Sequence, residues 1–113
     1  YLPGPFTFIL PASNEVSKIF DSNKKEIGIR IPDNNIALEL VKALGNPIAA
    51  TSLHNDEDEI MEYFSDPYVI YEKFDDQIEF IIDGGFGQLK GSTIVNCMEE
   101  PFIVRQGLGE IHI

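Results

Sequence analysis

Short apolar runs, separated by proline, glycine and polar residues, define most of the strands that this sequence predicts. Phe6 to Leu10 lies between two prolines and is typical of a short strand. Ile27 to Ile31 is β-branched at alternate positions and stops at Pro32, which predicts a second strand. A further short apolar run covers residues 47–52. Later strands are predicted over residues 77–82, 92–97 and 102–105.

Helical spacing of apolar residues is clearest in the segment from Asn35 to Leu44, which has cap candidates at residues 33–35 and a stop at Gly45. Asn14 to Phe20 predicts one or two helical turns capped by Ser13. Residues 56–74 predict one helix or two short helices.

The order of these elements predicts the fold class. Strands and helices alternate through the first two thirds of the chain, which favours an α/β fold. The last strands are too close together for helical crossovers. We therefore expect a twisted, mixed, open sheet flanked by helices.

Composition limits the classes of protein that this chain can represent. Its 113 residues, 43% hydrophobic and 24% charged, suit one globular domain. No apolar run approaches the roughly 20 residues of a membrane span. With one cysteine, Cys97, and two histidines, a structural zinc site is not expected, and a cytoplasmic location is predicted.

Charge makes the few cationic positions informative. The formal net charge is −11, which argues against general affinity for nucleic-acid backbones. The two arginines, Arg30 and Arg105, each end an apolar β-run, where ligands of open α/β sheets bind. We expect both guanidinium groups to converge on one anion-binding hollow. The alternative for each is an ion pair with one of the 19 acidic residues.

Other polar groups suggest chemistry less specifically. Thr51, Ser52 and His54 lie at the end of the apolar run of residues 47–52 and could hydrogen-bond a small ligand, but they lack the GxSxG motif of a serine nucleophile. The glycines of residues 84–91 could let backbone N–H groups approach an anion, or could serve turn geometry. The acidic residues 56–59 lack the spacing of a calcium loop, so no metal site is predicted.

Read together, several segments resemble one family in sequence and in order. The first three are Pro3-Gly4-Pro5-Phe6-Thr7-Phe8-Ile9-Leu10, Ile27-Gly28-Ile29-Arg30-Ile31-Pro32-Asp33, and Leu44-Gly45-Asn46-Pro47-Ile48 with Ala50-Thr51-Ser52. The rest are Ile81-Ile82-Asp83-Gly84-Gly85, Ser92-Thr93-Ile94-Val95-Asn96 and Ile103-Val104-Arg105-Gln106-Gly107-Leu108-Gly109. Over nearly its whole length the chain resembles the YrdC/YciO family of threonylcarbamoyl-AMP synthase-like proteins.

The resemblance implies a cavity for ATP and threonine. In the synthase branch, threonine and bicarbonate form a carbamate that attacks the α-phosphate of ATP, for tRNA t6A modification. The resemblance implies ATP, accompanied by Mg²⁺, as a substrate and no tightly bound cofactor. Carried over to this sequence, Arg30 and Arg105 would contact phosphate or carboxylate, Ser52 and Ser92 would hydrogen-bond the ligands, and Thr7 would line the cavity. No catalytic nucleophile is implied.

The sequence departs from the family pattern in two ways, and both affect which part and which branch of the family we expect it to represent. Leu53 and His54 stand where the synthase branch has Ala-Asn, so the chain resembles the YciO branch more closely. The family's Thr-Asp-Thr-x-Tyr-Gly-like and Lys-x-Arg motifs are absent from the 113 residues. We therefore expect residues 1–113 to be the C-terminal portion of a single YrdC-like domain, incomplete on its N-terminal side.

Such a portion would expose a sheet edge and favour association with the upstream segment or with another copy. Two other functions stay open at this point. One is RNA binding, including double-stranded RNA. The other is a YciO-type module that senses a nucleotide without catalysis.

Overall fold

The structure, a computed structural model, describes residues 1–19, 24–53 and 64–113. These residues form two compact units. The first comprises residues 1–38 and 92–113, and the second comprises residues 39–91. None of the described helices has the length and apolarity that a membrane span requires.

A four-stranded mixed sheet lies entirely within the first unit. Its strands are β1 (Phe6–Pro11), β2 (Glu26–Arg30), β3 (Thr93–Asn96) and β4 (Phe102–Arg105), in the order β2-β1-β3-β4. β1 pairs with β2 in antiparallel orientation and with β3 in parallel orientation, and β3 pairs with β4 in antiparallel orientation. The predicted mixed open sheet is thereby confirmed.

The described residues contain three helices, and local chemistry explains where they begin. In α1 (Asn14–Ile19) the Ser13 hydroxyl accepts from the backbone N–H of Val16 at 3.3 Å. In α2 (Asn35–Leu44) the Asn34 side chain accepts from Ala37, and Gly45 ends the helix at φ +83°. In α3 (Pro67–Phe74) Asp66 caps the N-terminus and proline occupies the first helical turn.

The core of the first unit is formed where β1 and β3 pair. Phe6 is 6% exposed, Val95 is 1% exposed and Thr93 is fully buried. The Phe6 ring meets the Tyr1 ring edge-on, with centroids 5.1 Å apart. Gly109 approaches the same ring so closely that a Cβ there would lie 2.5 Å from two ring carbons.

The second unit contains most of α2, all of α3 and the loops that follow them. The Phe64 and Phe74 rings meet edge-on with centroids 5.7 Å apart. The backbone N–H of Gly87 donates to the Ser65 carbonyl at 2.8 Å.

The predicted strand over residues 77–82 is wrong, because this segment is irregular in the structure. It begins with a turn in which the Gln77 N–H donates to the Phe74 carbonyl. The side chains of Ile78, Phe80 and Ile82 are 42%, 74% and 49% exposed. An alternating apolar pattern forms a strand only where a neighbouring strand pairs with it, and the described residues provide none here.

Two further predictions need adjustment. Residues 47–53 are exposed and irregular, so the apolar run there is not a strand. The helix predicted over residues 56–74 is present as α3 in its last eight residues, and residues 56–63 lie outside the described residues.

Candidate functional site

One row of paired residues crosses all four strands and carries both arginines. Thr7 on β1 pairs with Arg30 on β2 and with Ile94 on β3, and Ile94 pairs with Arg105 on β4. Side chains paired in register project from the same face of a sheet. Arg30 and Arg105 therefore lie on one face, three interstrand spacings or about 14 Å apart.

The Arg105 guanidinium is held against the residue that precedes β3. Its Nε donates to the Ser92 carbonyl oxygen at 3.0 Å and its Nη2 donates to the same oxygen at 2.7 Å. Nη2 also lies 3.4 Å from the Ser92 hydroxyl. Ser92 precedes Ile94 by two residues, so these contacts place the Arg105 side chain on the face described above despite an irregular register between Ile94 and Val95.

Two hydroxyl groups extend this cluster towards β1. Thr7 Oγ1 and Ser92 Oγ are 2.6 Å apart and form a hydrogen bond. Ser92 is 5% exposed and Thr7 is half-buried. The hydrogen bonds therefore connect Thr7, Ser92 and Arg105 into one polar group.

Arg30 differs from Arg105 in its surroundings. Its side chain is exposed and, within the described ranges, has no hydrogen-bond or ion-pair partner. Gly28, two residues earlier on β2, faces the same side, where a Cβ would lie 3.3 Å from Thr7 Cγ2. The absence of a side chain at Gly28 leaves the surface beside Arg30 and Thr7 uncovered by this residue.

The remaining predicted site residues belong to the second unit or lie outside the described chain. Thr51 and Ser52 are exposed in the irregular segment after α2. His54 lies outside the described residues. The structure thus brings Thr7, Ser92 and Arg105 together and places Arg30 on their face.

The glycine-rich loop uses some of its backbone donors internally. The Gly85 N–H donates to the Asp83 carboxylate at 2.9 Å, and Gly85 has a φ of +91°. The Gly87 N–H is bonded to Ser65. For these two glycines the structure favours turn geometry over anion binding.

Sequence reasoning missed a second polar cluster on the opposite face of the sheet. Thr93 Oγ1 donates to the Gly109 carbonyl at 2.6 Å and accepts from the Gly107 N–H at 3.0 Å. The Gln106 side-chain amide donates to the same Gly109 carbonyl at 2.6 Å. A buried threonine in a strand gives no sequence signal that separates it from an ordinary core residue.

These features define an α/β domain whose mixed four-stranded sheet presents two arginines on one face. Residues 1–107 match the Sua5/YciO/YrdC family, whose model is described as "Telomere recombination". The chain belongs to this family, which confirms the resemblance seen in the sequence.

Three relatives illustrate the family. An uncharacterized protein of Haemophilus influenzae is 42% identical over 109 residues, which are 95% of this chain and 52% of the relative. The crystal structure of Escherichia coli YciO superposes with a TM-score of 0.85 at 37% identity, over 96% of this chain and 52% of that one. Pyrococcus abyssi Sua5, complexed with L-threonine, superposes with a TM-score of 0.79 at 30% identity, over 95% of this chain and 31% of that one.

The threonylcarbamoyl-AMP synthase of Pyrococcus abyssi is also related in sequence, at 31% identity over 95% of this chain. The chain spans about half the length of the Haemophilus and Escherichia relatives.

Proposed function

We propose that this protein binds ATP and a small carboxylate substrate, threonine, on the arginine face, as a threonylcarbamoyl-AMP synthase-like protein of tRNA t6A modification. The observation that carries the proposal is the position of Arg30 and Arg105 on one face of a sheet. In a chain of net charge −11, two guanidinium groups on one face create a local site for anions.

The two arginines suit two ends of an elongated anionic ligand. Their strands are separated by about 14 Å, and both side chains are long enough to reach inwards from that distance. Guanidinium groups bind phosphates and carboxylates through paired N–H donors. In this proposal the arginines contact the nucleotide phosphates and the threonine carboxylate, and the hydroxyls of Thr7 and Ser92 hydrogen-bond the ligands between them.

Thr51, Ser52 and His54 are proposed as further ligand contacts on the basis of the family resemblance. Mg²⁺ would enter with the ATP phosphates, because this ion is commonly held by substrate oxygens. The described residues contain no cluster of three His, Cys, Asp or Glu side chains. We therefore assign no protein ligand to the ion.

The proposed reaction depends more on how the two substrates are positioned than on a nucleophile from the protein. The threonine amine and bicarbonate form a carbamate with loss of water, and one oxygen of this carbamate bonds to the α-phosphorus of ATP. The bond from that phosphorus to the bridging oxygen breaks, and pyrophosphate leaves. Aligning two anions and neutralising their charge are the tasks that guanidinium groups perform in such transfers.

A second candidate is a nucleotide-sensing module without catalysis. It is favoured by the higher identity to the Haemophilus protein and to YciO, at 42% and 38%, than to the Pyrococcus synthase, at 31%. The same arginine face would bind the nucleotide, but no pyrophosphate would form. RNA binding is a weaker alternative because the net charge of −11 opposes contact with a phosphate backbone.

Calorimetric titration of ATP into the full-length protein, with and without L-threonine, tests the proposal. We expect binding that Arg30→Met and Arg105→Met each weaken by about tenfold or more. Lys18→Met is the matched control, because it removes one exposed positive charge from α1 and should bind ATP like the wild type. Absence of binding at millimolar ATP would rule the proposal out.

Pyrophosphate release in the presence of bicarbonate separates the two candidates. Release that depends on threonine identifies a synthase. ATP binding without release identifies a sensing module.

A further inference from the structure

Thr93 and Ser92 are adjacent in the chain but face opposite sides of the sheet. Ser92 holds the Arg105 guanidinium on the arginine face. Thr93 is fully buried on the other face, where its hydroxyl uses both of its hydrogen-bonding roles on the segment that follows Arg105. The end of β4 is therefore held from both sides.

The segment Gln106–Gly109 is held by three hydrogen bonds and one close packing contact. Thr93 Oγ1 bonds to Gly107 and Gly109, and the Gln106 amide bonds to Gly109. Gly109 also lies against the Phe6 ring without room for a Cβ. Removing the Thr93 hydroxyl would leave the partly buried Gly107 N–H without this acceptor, which costs more than losing a fully solvent-exposed bond.

We propose that Thr93 is a positioning residue for Arg105. Its hydroxyl fixes the backbone at the end of β4, and this backbone determines where the guanidinium meets the Ser92 carbonyl. Thr93 does not touch the ligand and acts through Arg105. The relevance of this role to ligand binding rests on the proposed function, whereas the role itself concerns the protein alone.

Nitrogen-15 NMR of the arginine Nε–H groups tests the role without any ligand. The chain has two arginines, so Arg30→Lys assigns both signals. Because Arg105 Nε donates to Ser92, its proton should exchange slowly with water. We expect Thr93→Val to speed this exchange by about tenfold and Thr93→Ser to keep it within about twofold of the wild type.

The melting temperature distinguishes positioning from general stabilisation. A Thr93→Val variant that melts lower but keeps slow Arg105 Nε–H exchange would show a structural role only and overturn the proposal. So would a Thr93→Ser variant whose exchange is as fast as that of Thr93→Val.

If Thr93→Val does not fold, the variant Gln106→Met provides an alternative test. Gln106→Met removes the amide bond to Gly109 from an exposed side chain, and it should speed Arg105 Nε–H exchange by about threefold. Unchanged exchange in this variant would contradict the role of the segment.

The proposed function is judged separately by calorimetry. If the wild type binds no ATP, that function fails while the exchange data still decide the role of Thr93. If it binds, Thr93→Val should weaken ATP binding and Thr93→Ser should restore it.

Discussion

The Ser92 carbonyl oxygen accepts hydrogen bonds from both Nε and Nη2 of Arg105, at 3.0 and 2.7 Å. A main-chain oxygen therefore orients this guanidinium, and the orientation does not depend on the side chain at position 92 alone. Lysine cannot reproduce the arrangement, because its ammonium has a single nitrogen on a flexible stem and lacks the planar set of N–H donors of a guanidinium group. Replacing Arg105 by lysine therefore tests the geometry of the side chain while its positive charge is kept.

Arg105→Lys should weaken ATP binding by about tenfold to a hundredfold although the positive charge is kept. The physical reason is the loss of the Nε and Nη2 bonds that fix the planar group. Calorimetric titration of the full-length protein measures the effect, and Lys18→Arg on α1 is the control for a change of cation type. Wild-type affinity in Arg105→Lys would mean that charge alone is needed at this position.

The hydrogen bond between Thr7 and Ser92 should contribute to folding as well as to the site. The two hydroxyl oxygens are 2.6 Å apart in a partly buried setting. Thr7→Val, Ser92→Ala and the double variant form a thermodynamic cycle, for which we expect a coupling of about 0.5–1.5 kcal/mol in the free energy of unfolding. Urea denaturation gives the values, and strictly additive losses would show that the bond contributes nothing measurable.

Gly28→Leu should obstruct the arginine face while leaving the sheet intact. Gly28 is exposed, and the added side chain would project beside Thr7 and Arg30. We expect ATP affinity to fall by about tenfold or more because the ligand and the new side chain compete for the same surface. Ile29→Val, on the opposite face of the same strand, should bind ATP normally.

Circular dichroism confirms whether Gly28→Leu is folded. Unaltered ATP affinity in the folded variant would place the ligand elsewhere on the protein.

The sequence predicted well those elements whose boundaries are set by residues close to them in the chain. α2 begins after a capping Asn34 and ends before Gly45, and both signals lie within the segment itself. The segment of residues 77–82 shows the opposite case. Its alternating pattern satisfies the local rule for a strand, but pairing is decided by distant residues that the pattern does not contain.

The candidate site also combines features that local sequence predicts with features that depend on long-range strand register. The placement of Arg30 and Arg105 at strand ends was predictable from the apolar runs before them. Their common face was expected, but the sequence does not determine it, because it depends on the parallel register of β1 with β3 and on the irregular register of β3 with β4. The bonds of Thr93 to the segment after Arg105 depend on this long-range register too.

Gly109→Ala should destabilise the first unit. A Cβ at this position would lie 2.5 Å from two carbons of the Phe6 ring, a distance that requires the ring or the backbone to move. Phe6 is 6% exposed and packs against Tyr1 and Phe8, so there is little space for it to shift. Overpacking of this kind costs about 1–3 kcal/mol in the free energy of unfolding, measurable by urea denaturation.

Gly87→Ala is the matched control, because a Cβ there would make only ordinary contacts at 3.9 Å with Ser65. Its free energy of unfolding should change by less than about 1 kcal/mol. Phe6→Leu combined with Gly109→Ala should recover part of the loss relative to the sum of the single changes, because a smaller side chain leaves room for the new methyl group. If Gly109→Ala proves as stable as Gly87→Ala, Gly109 does not pack closely on Phe6, and this contact does not help to fix the segment after Arg105.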